Sequence, residues 1–186
     1  MTSYTLFGQS GGTTESGDTA DYTMGVQFQV SQTATLAAIW FFSPTSANEL
    51  PETIALFAVS GTSLVHSESA SWSGIAGSGW VRAAFSSPPS LSASTGYKAC
   101  ILKTGAGNFY SATGAYWSSG AGSGGITNGP LSAPNNGGAD GGQDTFNASA
   151  SLTYPASSFN AANYWVDPEV SVTAAAAGGL LMAGPP

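Results

Sequence analysis

Charged side chains are scarce in this sequence. Only 7% of the 186 residues are Asp, Glu, Lys or Arg, against a typical ~25%. Ten acidic and three basic residues give a net charge of −7. An acidic chain repels the phosphate backbone of nucleic acids and the headgroups of anionic lipids. We therefore expect neither nucleic acid nor a membrane as a partner.

Cysteine and histidine are almost absent. Cys100 is the only cysteine and His66 the only histidine. A single cysteine excludes an intrachain disulfide, and the pair cannot form a zinc site from His and Cys ligands alone. Cys100 is expected to be buried as a small hydrophobic residue, so stability must come from packing.

Long apolar runs are also missing. No stretch reaches the ~18 apolar residues that a membrane-spanning helix requires, and the N-terminus has neither the basic nor the apolar region of a secretion signal. We interpret Met1 as a native start, which favours a virion protein released by lysis over a domain excised from a secreted protein. The expected location is the virion surface, with the extracellular medium as the alternative.

No window holds an apolar period of 3.6 residues long enough for a major helix. Short segments alternate apolar and polar residues between Gly, Pro and Ser turns, which indicates antiparallel strands. We predict an all-β fold, a two-sheet antiparallel β-sandwich with jelly-roll-like connections and roughly eight to ten strands, over residues 1–173. A long loop rich in Gly, Ser and aromatic residues interrupts it at 104–145, and an Ala/Gly/Pro-rich tail follows at 174–186. The predicted strands are Tyr4–Phe7, Tyr22–Val30, Ala34–Phe42, Thr53–Val59, Ser63–Glu68, Trp80–Phe85, Gly96–Lys103, Phe146–Tyr154 and Tyr164–Val172.

Three of these strands carry finer expectations. In 22–30 the alternation predicts a dry face and a wet face, with Gln27 on the wet one. In the closing strand Asp167 falls on the wetter face, and Pro168 predicts an edge strand or a bulge because it lacks a ladder donor. The segment Ile39–Phe42 is apolar on both faces, so it is either a central strand covered on both sides or a strand with an outer contact face.

Four aromatic residues are candidates for a ligand platform, because aromatic rings stack on the apolar faces of amphipathic molecules such as sugars. The alternative is that they pin long loops onto the sandwich. The four residues are Trp72, Tyr110, Tyr116 and Trp117.

Loop carboxylates are candidates for calcium ligands, since Ca²⁺ prefers oxygen donors. Asp140 with Asp144 is one such pair, and Asp18 with Asp21 is another; solvated carboxylates are the alternative. Two carboxylates could also form a glycosidase acid and base. The acidic residues fall mostly in loops, however, which argues against a buried acid with a raised pKa. No other cofactor is expected.

Two short motifs carry little weight. Ser10 lies in a G-x-S-x-G pattern, but no helix follows it and His66 would have to serve as the base. Residues 120–125 fit G-x-G-x-x-G without the strand and helix that such a phosphate loop requires. We therefore expect no catalytic residues and no enzyme activity.

Several segments in order resemble a known family. They are YTLFGQS, YTMGVQFQVSQTATLAAIWFF, SGWVRAAFSSPPSLSASTGYKACIL, NGPLSAP and YPASSFNAANYWVDPEVSV. Together, from about Tyr4 to Val172, they resemble the bacterial and phage β-sandwich family of unknown function numbered four thousand and eighty-two. That family recurs beside carbohydrate-active enzymes and Ig-like repeats in bacterial surface proteins. The resemblance implies a non-catalytic accessory or adhesion-like module with sugar as a candidate ligand.

The leading functional hypothesis is a non-enzymatic phage virion protein, a capsid decoration, fibre or minor tail component that mediates adhesion to a host-surface glycan. The alternative is a carbohydrate-binding accessory module of a secreted surface protein or glycoside hydrolase. In the tail, Leu180, Leu181 and Met182 are the only sizeable apolar groups that could offset the cost of ordering it. We expect them to contact another protein chain, either a second copy or a virion partner; the alternative is that the tail folds back along its own sandwich.

Overall fold

The structure, a computed structural model, describes residues 1–12, 18, 20–44, 50–74, 79–105, 110–135 and 142–173. Within these ranges the chain forms strands and one short 3-10 turn at Ser60–Thr62. No helix among them is long and apolar enough to cross a membrane. The strands are β1 (Thr2–Tyr4), β2 (Tyr22–Val30), β3 (Ala34–Ser43), β4 (Thr53–Ala58), β5 (Leu64–Ser69), β6 (Trp72–Gly74), β7 (Gly79–Ala84), β8 (Ser90–Leu91), β9 (Tyr97–Lys103), β10 (Ile126–Asn128), β11 (Leu131–Ala133), β12 (Asp144–Ala148) and β13 (Val166–Val172).

The strands form two antiparallel sheets. One runs β1-β13-β3-β7-β6, with β8 also paired to β3. The other runs β10-β11-β2-β9-β4-β5, with β12 also paired to β2. The predicted all-β sandwich is confirmed, whereas the jelly-roll connectivity stays a prediction. The described residues contain thirteen strands, more than expected, because three-residue strands such as β6 and β10 pair only briefly and leave almost no sequence pattern.

The hydrophobic core lies between the sheets and draws residues from almost every strand. Its side chains with no solvent exposure include Val26, Phe28, Leu36, Ile39, Phe41, Ile54, Leu56, Ile101, Leu131, Val166 and Val170. Cys100 is buried as expected, on the other face of its sheet, with Ala55 and Phe57.

A β-bulge explains the segment that is apolar on both faces. Consecutive residues of β13 pair with Ala38 and Leu36 of β3, so Ala37 is an extra residue in β3. Beyond it the alternation shifts by one, because a bulge turns the following side chains to the opposite face. Ile39 therefore points into the core, and Trp40 lies half-buried on the outer face. Pro168 itself pairs in register with Ile39, so the bulge expected at this residue is not found there. Because β1 pairs with Val170, Ser171 and Val172, the other side of β13 has no partner strand at Pro168 among the described residues, in agreement with the expected edge.

The outer face of the six-stranded sheet carries an ionic contact. Glu169 accepts hydrogen bonds from Trp40 Nε1 (2.8 Å) and from Arg82 Nε (2.7 Å). The guanidinium carbon of Arg82 also lies 6.0 Å from the centre of the Trp40 ring. The contact lowers the pKa of Glu169, mainly through the hydrogen bond from Arg82.

The predicted wet face of β2 is wrong for most of its length. Gln27 is buried, and the Gln143 side chain and backbone pack along the same part of β2. Leu152 and Tyr154 cover the outer face of the seven-stranded sheet nearby. A later segment of the chain therefore covers the face that was expected to contact solvent. The alternation of residues within one strand does not reveal such a cover.

The N-terminal strand is shifted from its predicted position. It ends at Tyr4, and the next residues turn away because the Asp167 carboxylate accepts their backbone N–H groups, from Leu6 at 2.6 Å and Phe7 at 3.0 Å. Asp167 itself is fully buried, so its predicted place on a wet face is also wrong.

Candidate functional site

The main pocket among the described residues has a volume of about 460 Å³ and is lined by residues of β2, of β12 and of the segments 110–114 and 159–164, together with Asp18. Cavities of this size hold small ligands in other proteins. Phe159 stands at its rim with 70% of its side chain exposed, in contrast to most large apolar residues of the domain. The lining residues are Asp18, Tyr22, Met24, Tyr110, Ala112, Gly114, Phe146, Phe159, Asn160, Ala162 and Tyr164.

Four of the lining aromatic rings form a closed circuit of edge-to-face contacts. Tyr22 contacts Tyr110 at 5.7 Å and Phe146 at 5.6 Å between ring centres. Tyr164 closes the circuit, at 5.8 Å from Tyr110 and 6.0 Å from Phe146. Edge-to-face pairs add ~0.5–1.5 kcal/mol each beyond the area they bury. The circuit fixes the ring positions before any ligand arrives.

Two loops, residues 110–125 and 157–165, build the side of the pocket and are bound to each other. We call them the paired loops. Thr113 and Asn163 exchange both backbone hydrogen bonds, at 2.9 and 3.0 Å. The N–H of Ala115 donates to the carbonyl of Asn160 at 2.7 Å. The predicted packing of the long aromatic loop is thus found for its described part.

Backbone strain is concentrated in the paired loops. Ala115, Asn160, Ala161 and Trp165 all have positive φ angles, between 44° and 55°. Each non-glycine residue in this left-handed region costs about 1–2 kcal/mol. Such strain persists only where the surrounding contacts over-determine it, and it occurs preferentially at binding sites. Of these four residues, Asn160 lines the main pocket and Trp165 lines the second recess described below.

The electrostatics of the pocket centre on Asp18. Its carboxylate accepts hydrogen bonds from the Tyr22 hydroxyl and from the backbone N–H of Ala20. The hydrogen bond from Tyr22 is the main reason why the pKa of Asp18 lies below its ordinary value, so this exposed carboxyl is ionised at neutral pH. Burial, together with Asp18, raises the pKa of Tyr22, and burial raises that of Tyr164, so both phenols stay neutral.

The structure separates the four residues predicted as a ligand platform. Only Tyr110 lines the main pocket. Tyr116 lines a second recess of about 320 Å³, together with Phe7, Ser10 and Trp165. Trp117 is 1% exposed and belongs to the core, so it cannot stack on a ligand. Trp72 is half-buried against Phe41, and its Nε1 donates to the Pro51 carbonyl at 2.6 Å.

The two calcium pairs stay predictions, and the structure places three of their four carboxylates. Asp140 lies outside the described residues, and Asp144 is buried, with its Oδ2 accepting the N–H of Tyr164 at 2.8 Å. Asp18 and Asp21 are engaged separately, since Asp21 accepts the N–H of Gly105. Within the described ranges no group of three or more His, Cys, Asp or Glu residues is placed to hold a metal ion.

The argument against buried acids with raised pKa values is also wrong. Burial raises the pKa of Asp144 well above its usual value, although the hydrogen bond from the backbone N–H of Tyr164 opposes the shift. Burial likewise raises the pKa of Asp167 to about 7. Neither residue lines either pocket, so both act on the packing of the core rather than on a ligand.

The hydrolase motif does not assemble. The Ser10 hydroxyl donates to the Phe7 carbonyl at 2.6 Å, whereas His66 Nε2 lies 2.7 Å from Glu68 Oε1 on β5 of the other sheet. Residues 120–125 form successive turns behind Trp117 instead of a phosphate loop. The tail residues Leu180, Leu181 and Met182 lie outside the described residues, so their contact with another chain stays a prediction.

Sequence reasoning missed four of the five aromatic residues in the pocket. Tyr22 and Tyr164 had been assigned to dry strand faces, and no motif singled out Phe146 or Phe159. A weak signal existed at Phe159, because a lone phenylalanine within the polar stretch SSFNAAN is unusual in a turn. The remaining rings meet only through long-range pairing.

Comparison with known proteins gives one family assignment. The sequence pattern of DUF4082, described as a domain of unknown function, matches residues 9–166. A search of curated proteins finds no significant match. The match includes most of both sheets and all of the main pocket. The chain belongs to the DUF4082 family.

Proposed function

We propose that this domain is a non-catalytic binding module whose aromatic pocket holds one ring of a saccharide. The observation that carries the proposal is the 70% exposed Phe159 at the rim of a preformed pocket of about 460 Å³. A single exposed aromatic residue is common on protein surfaces, but beside a preformed pocket lined by other aromatic rings it offers a ligand a further apolar contact. A sugar ring offers an apolar face to such a side chain and hydroxyl groups to polar atoms beside it.

The polar groups of the pocket are suited to binding rather than to hydrolysis. Asp18 is the one carboxylate among the described lining residues, and it accepts hydrogen bonds from the backbone N–H of Ala20 and from the Tyr22 hydroxyl. Glycosidases use a pair of carboxyl groups on opposite sides of the scissile bond. A single carboxylate beside neutral phenols orients hydroxyl groups instead.

The setting we propose is the surface of a phage virion, where the domain acts as a decoration, fibre or minor tail component and adheres to a host-surface glycan. Its support is the charge-poor composition, with 7% charged residues. The alternative setting is an accessory module of a secreted surface protein or glycoside hydrolase. Labelling of purified phage particles with an antibody against this domain distinguishes the two settings, because only the virion setting places the domain on the surface of the phage.

The binding proposal is tested by titrating the protein with gluco-, galacto- and manno-configured oligosaccharides in a calorimeter. Phe159→Ala and Tyr110→Ala are expected to weaken binding about threefold to tenfold each, the equivalent of one ring contact. Leu64→Ala is the matched control, because Leu64 is 49% exposed on β5 and does not line the pocket. Absence of binding to every oligosaccharide, or equal effects of all three variants, would contradict the proposal.

A further inference from the structure

We infer that the pocket selects saccharides by charge, taking amino sugars most tightly, neutral sugars less tightly and acidic sugars least, with Asp18 as the residue that determines this order. The inference rests on the proposed saccharide binding and adds the class of sugar that is bound.

The described wall of the pocket carries a negative charge. Asp18 is the only lining residue with a formal charge among those that the structure describes. Lys103 interacts electrostatically with Asp18 and contributes to the lowering of its pKa. Lys103 is only 1% exposed on β9 and does not line the pocket, so a ligand meets the negative charge and not the positive one.

The second step is the character of the aromatic rings. The faces of Tyr22, Tyr110 and Phe146 carry the negative part of the ring quadrupole, which attracts cations and repels anions. The circuit of edge-to-face contacts holds these rings in place next to Asp18. The rings and the carboxylate therefore act in the same direction on a charged substituent.

The third step is what an acidic sugar would require. Recognition of a carboxylate or sulfate normally uses Arg, Lys or a set of converging backbone N–H groups. The described lining supplies neither Arg nor Lys, and the Asn160 amide is its one side-chain N–H donor, with the phenol O–H groups as the other neutral donors. An acidic substituent would lose its hydration and gain a repulsive neighbour. A protonated amine would gain a charge-assisted hydrogen bond to an exposed carboxylate.

The test uses three ring sugars that differ in one substituent: the methyl glycosides of glucosamine, glucose and glucuronic acid, with the corresponding galacto series in parallel. Binding is followed by NMR chemical-shift titration at about pH 6, where the amine is protonated and the acid ionised. We expect glucosamine or galactosamine to bind about threefold to tenfold more tightly than the neutral sugar, as befits one exposed ionic contact. The uronic acid of the same series should bind at least threefold more weakly than the neutral sugar.

Asp18→Asn should abolish the advantage of the amino sugar and bring the uronic acid close to the neutral sugar. Asp21→Asn is the matched control, because it removes the same charge only three residues along the chain from Asp18. The Asp21 carboxylate accepts the N–H of Gly105 and does not line the pocket. Binding of the acidic sugar as tightly as the neutral one, or an equal effect of the two variants, would overturn the inference and leave the saccharide proposal standing. Failure of all six glycosides and of the oligosaccharides to bind would overturn both.

Discussion

The stability of this domain should fall as the pH rises from mildly acidic to mildly alkaline values, with Asp167 as a main cause. This carboxyl is fully buried, and burial raises its pKa from 3.8 to about 7 against the opposing hydrogen bonds from Phe7 and Leu6. A carboxyl whose pKa is higher in the folded state binds more protons there than in the unfolded state. Its stabilisation is therefore complete below pH 3.8 and is lost as the pH rises through about 7.

The size of the effect follows from the two pKa values. The difference between 3.8 and about 7 corresponds to roughly 4 kcal/mol, at ~1.4 kcal/mol for each tenfold change in proton affinity. Domains of this size have total unfolding free energies of ~5–15 kcal/mol. Asp144 acts in the same direction, since burial raises its pKa as well.

Glu68 acts in the opposite direction, because the contact with His66 lowers its pKa from 4.5 to about 2. Its stabilisation is present above pH 4.5 and is lost as the pH falls towards 2. The stability maximum should therefore lie near pH 4 to 5, between the pKa windows of Glu68 and Asp167.

Urea unfolding, followed by tryptophan fluorescence at several pH values between 4.5 and 8.5, measures this dependence in the wild type and in Asp167→Asn. The variant should show a flatter pH profile, because its side chain binds no proton. At acidic pH it should also be less stable by ~1–3 kcal/mol, because its NH₂ group faces one of the two N–H donors. A wild-type stability that rises between pH 5 and 8, or an equal slope in the variant, would refute the reasoning.

Two further predictions concern packing. Gly11→Ala should destabilise the domain far more than Gly61→Ala. Both glycines have positive φ, but a side chain at Gly11 would overlap the Trp165 ring, whereas the space around Gly61 is open. Thermal unfolding of the two variants checks this, and equal shifts of the melting temperature would count against it. Trp117→Ala should lower the free energy of unfolding by about 3–5 kcal/mol, as for other large buried side chains. Trp72→Ala should lower it less, because Trp72 is half-buried on an edge strand. Chemical denaturation compares the two variants, and a smaller loss of stability for Trp117→Ala would contradict the place of Trp117 in the core.

The fold could be predicted from the sequence because most strands carry their own alternation of apolar and polar residues. Strands β2, β4 and β9 begin and end within about a residue of their predicted bounds. The bulge at Ala37 could not be predicted, since it depends on how β13 pairs with β3. Burial of Asp167 is equally invisible in the sequence, because its partners lie 160 and 161 residues away.

The pocket was largely beyond the reach of sequence reasoning. Its aromatic residues come from the start of β2, from β12 and from both paired loops, and no local spacing connects these segments. Tyr110, which stands out in the sequence as an aromatic residue in a long polar loop, lines the main pocket, but its contact with a ligand stays a prediction. For Trp117 the same signal led to the wrong assignment, since the ring that stands out in the sequence is the one that anchors the loop to the core.

The pairing of the first and last strands also has a mechanical consequence. Thr2 lies opposite Val172, so the chain enters and leaves the described domain side by side. Tyr164, at the pocket, lies two residues before the start of β13 at Val166. A load applied between a bound ligand and the exit of β13 would run along the strand and be shared by all its hydrogen bonds to β3. A load that separates the two exits would instead peel β1 from β13 one hydrogen bond at a time. The strand pairing therefore predicts a higher unfolding force for a load that shears β13 against β3 than for a load that pulls Thr2 away from Val172.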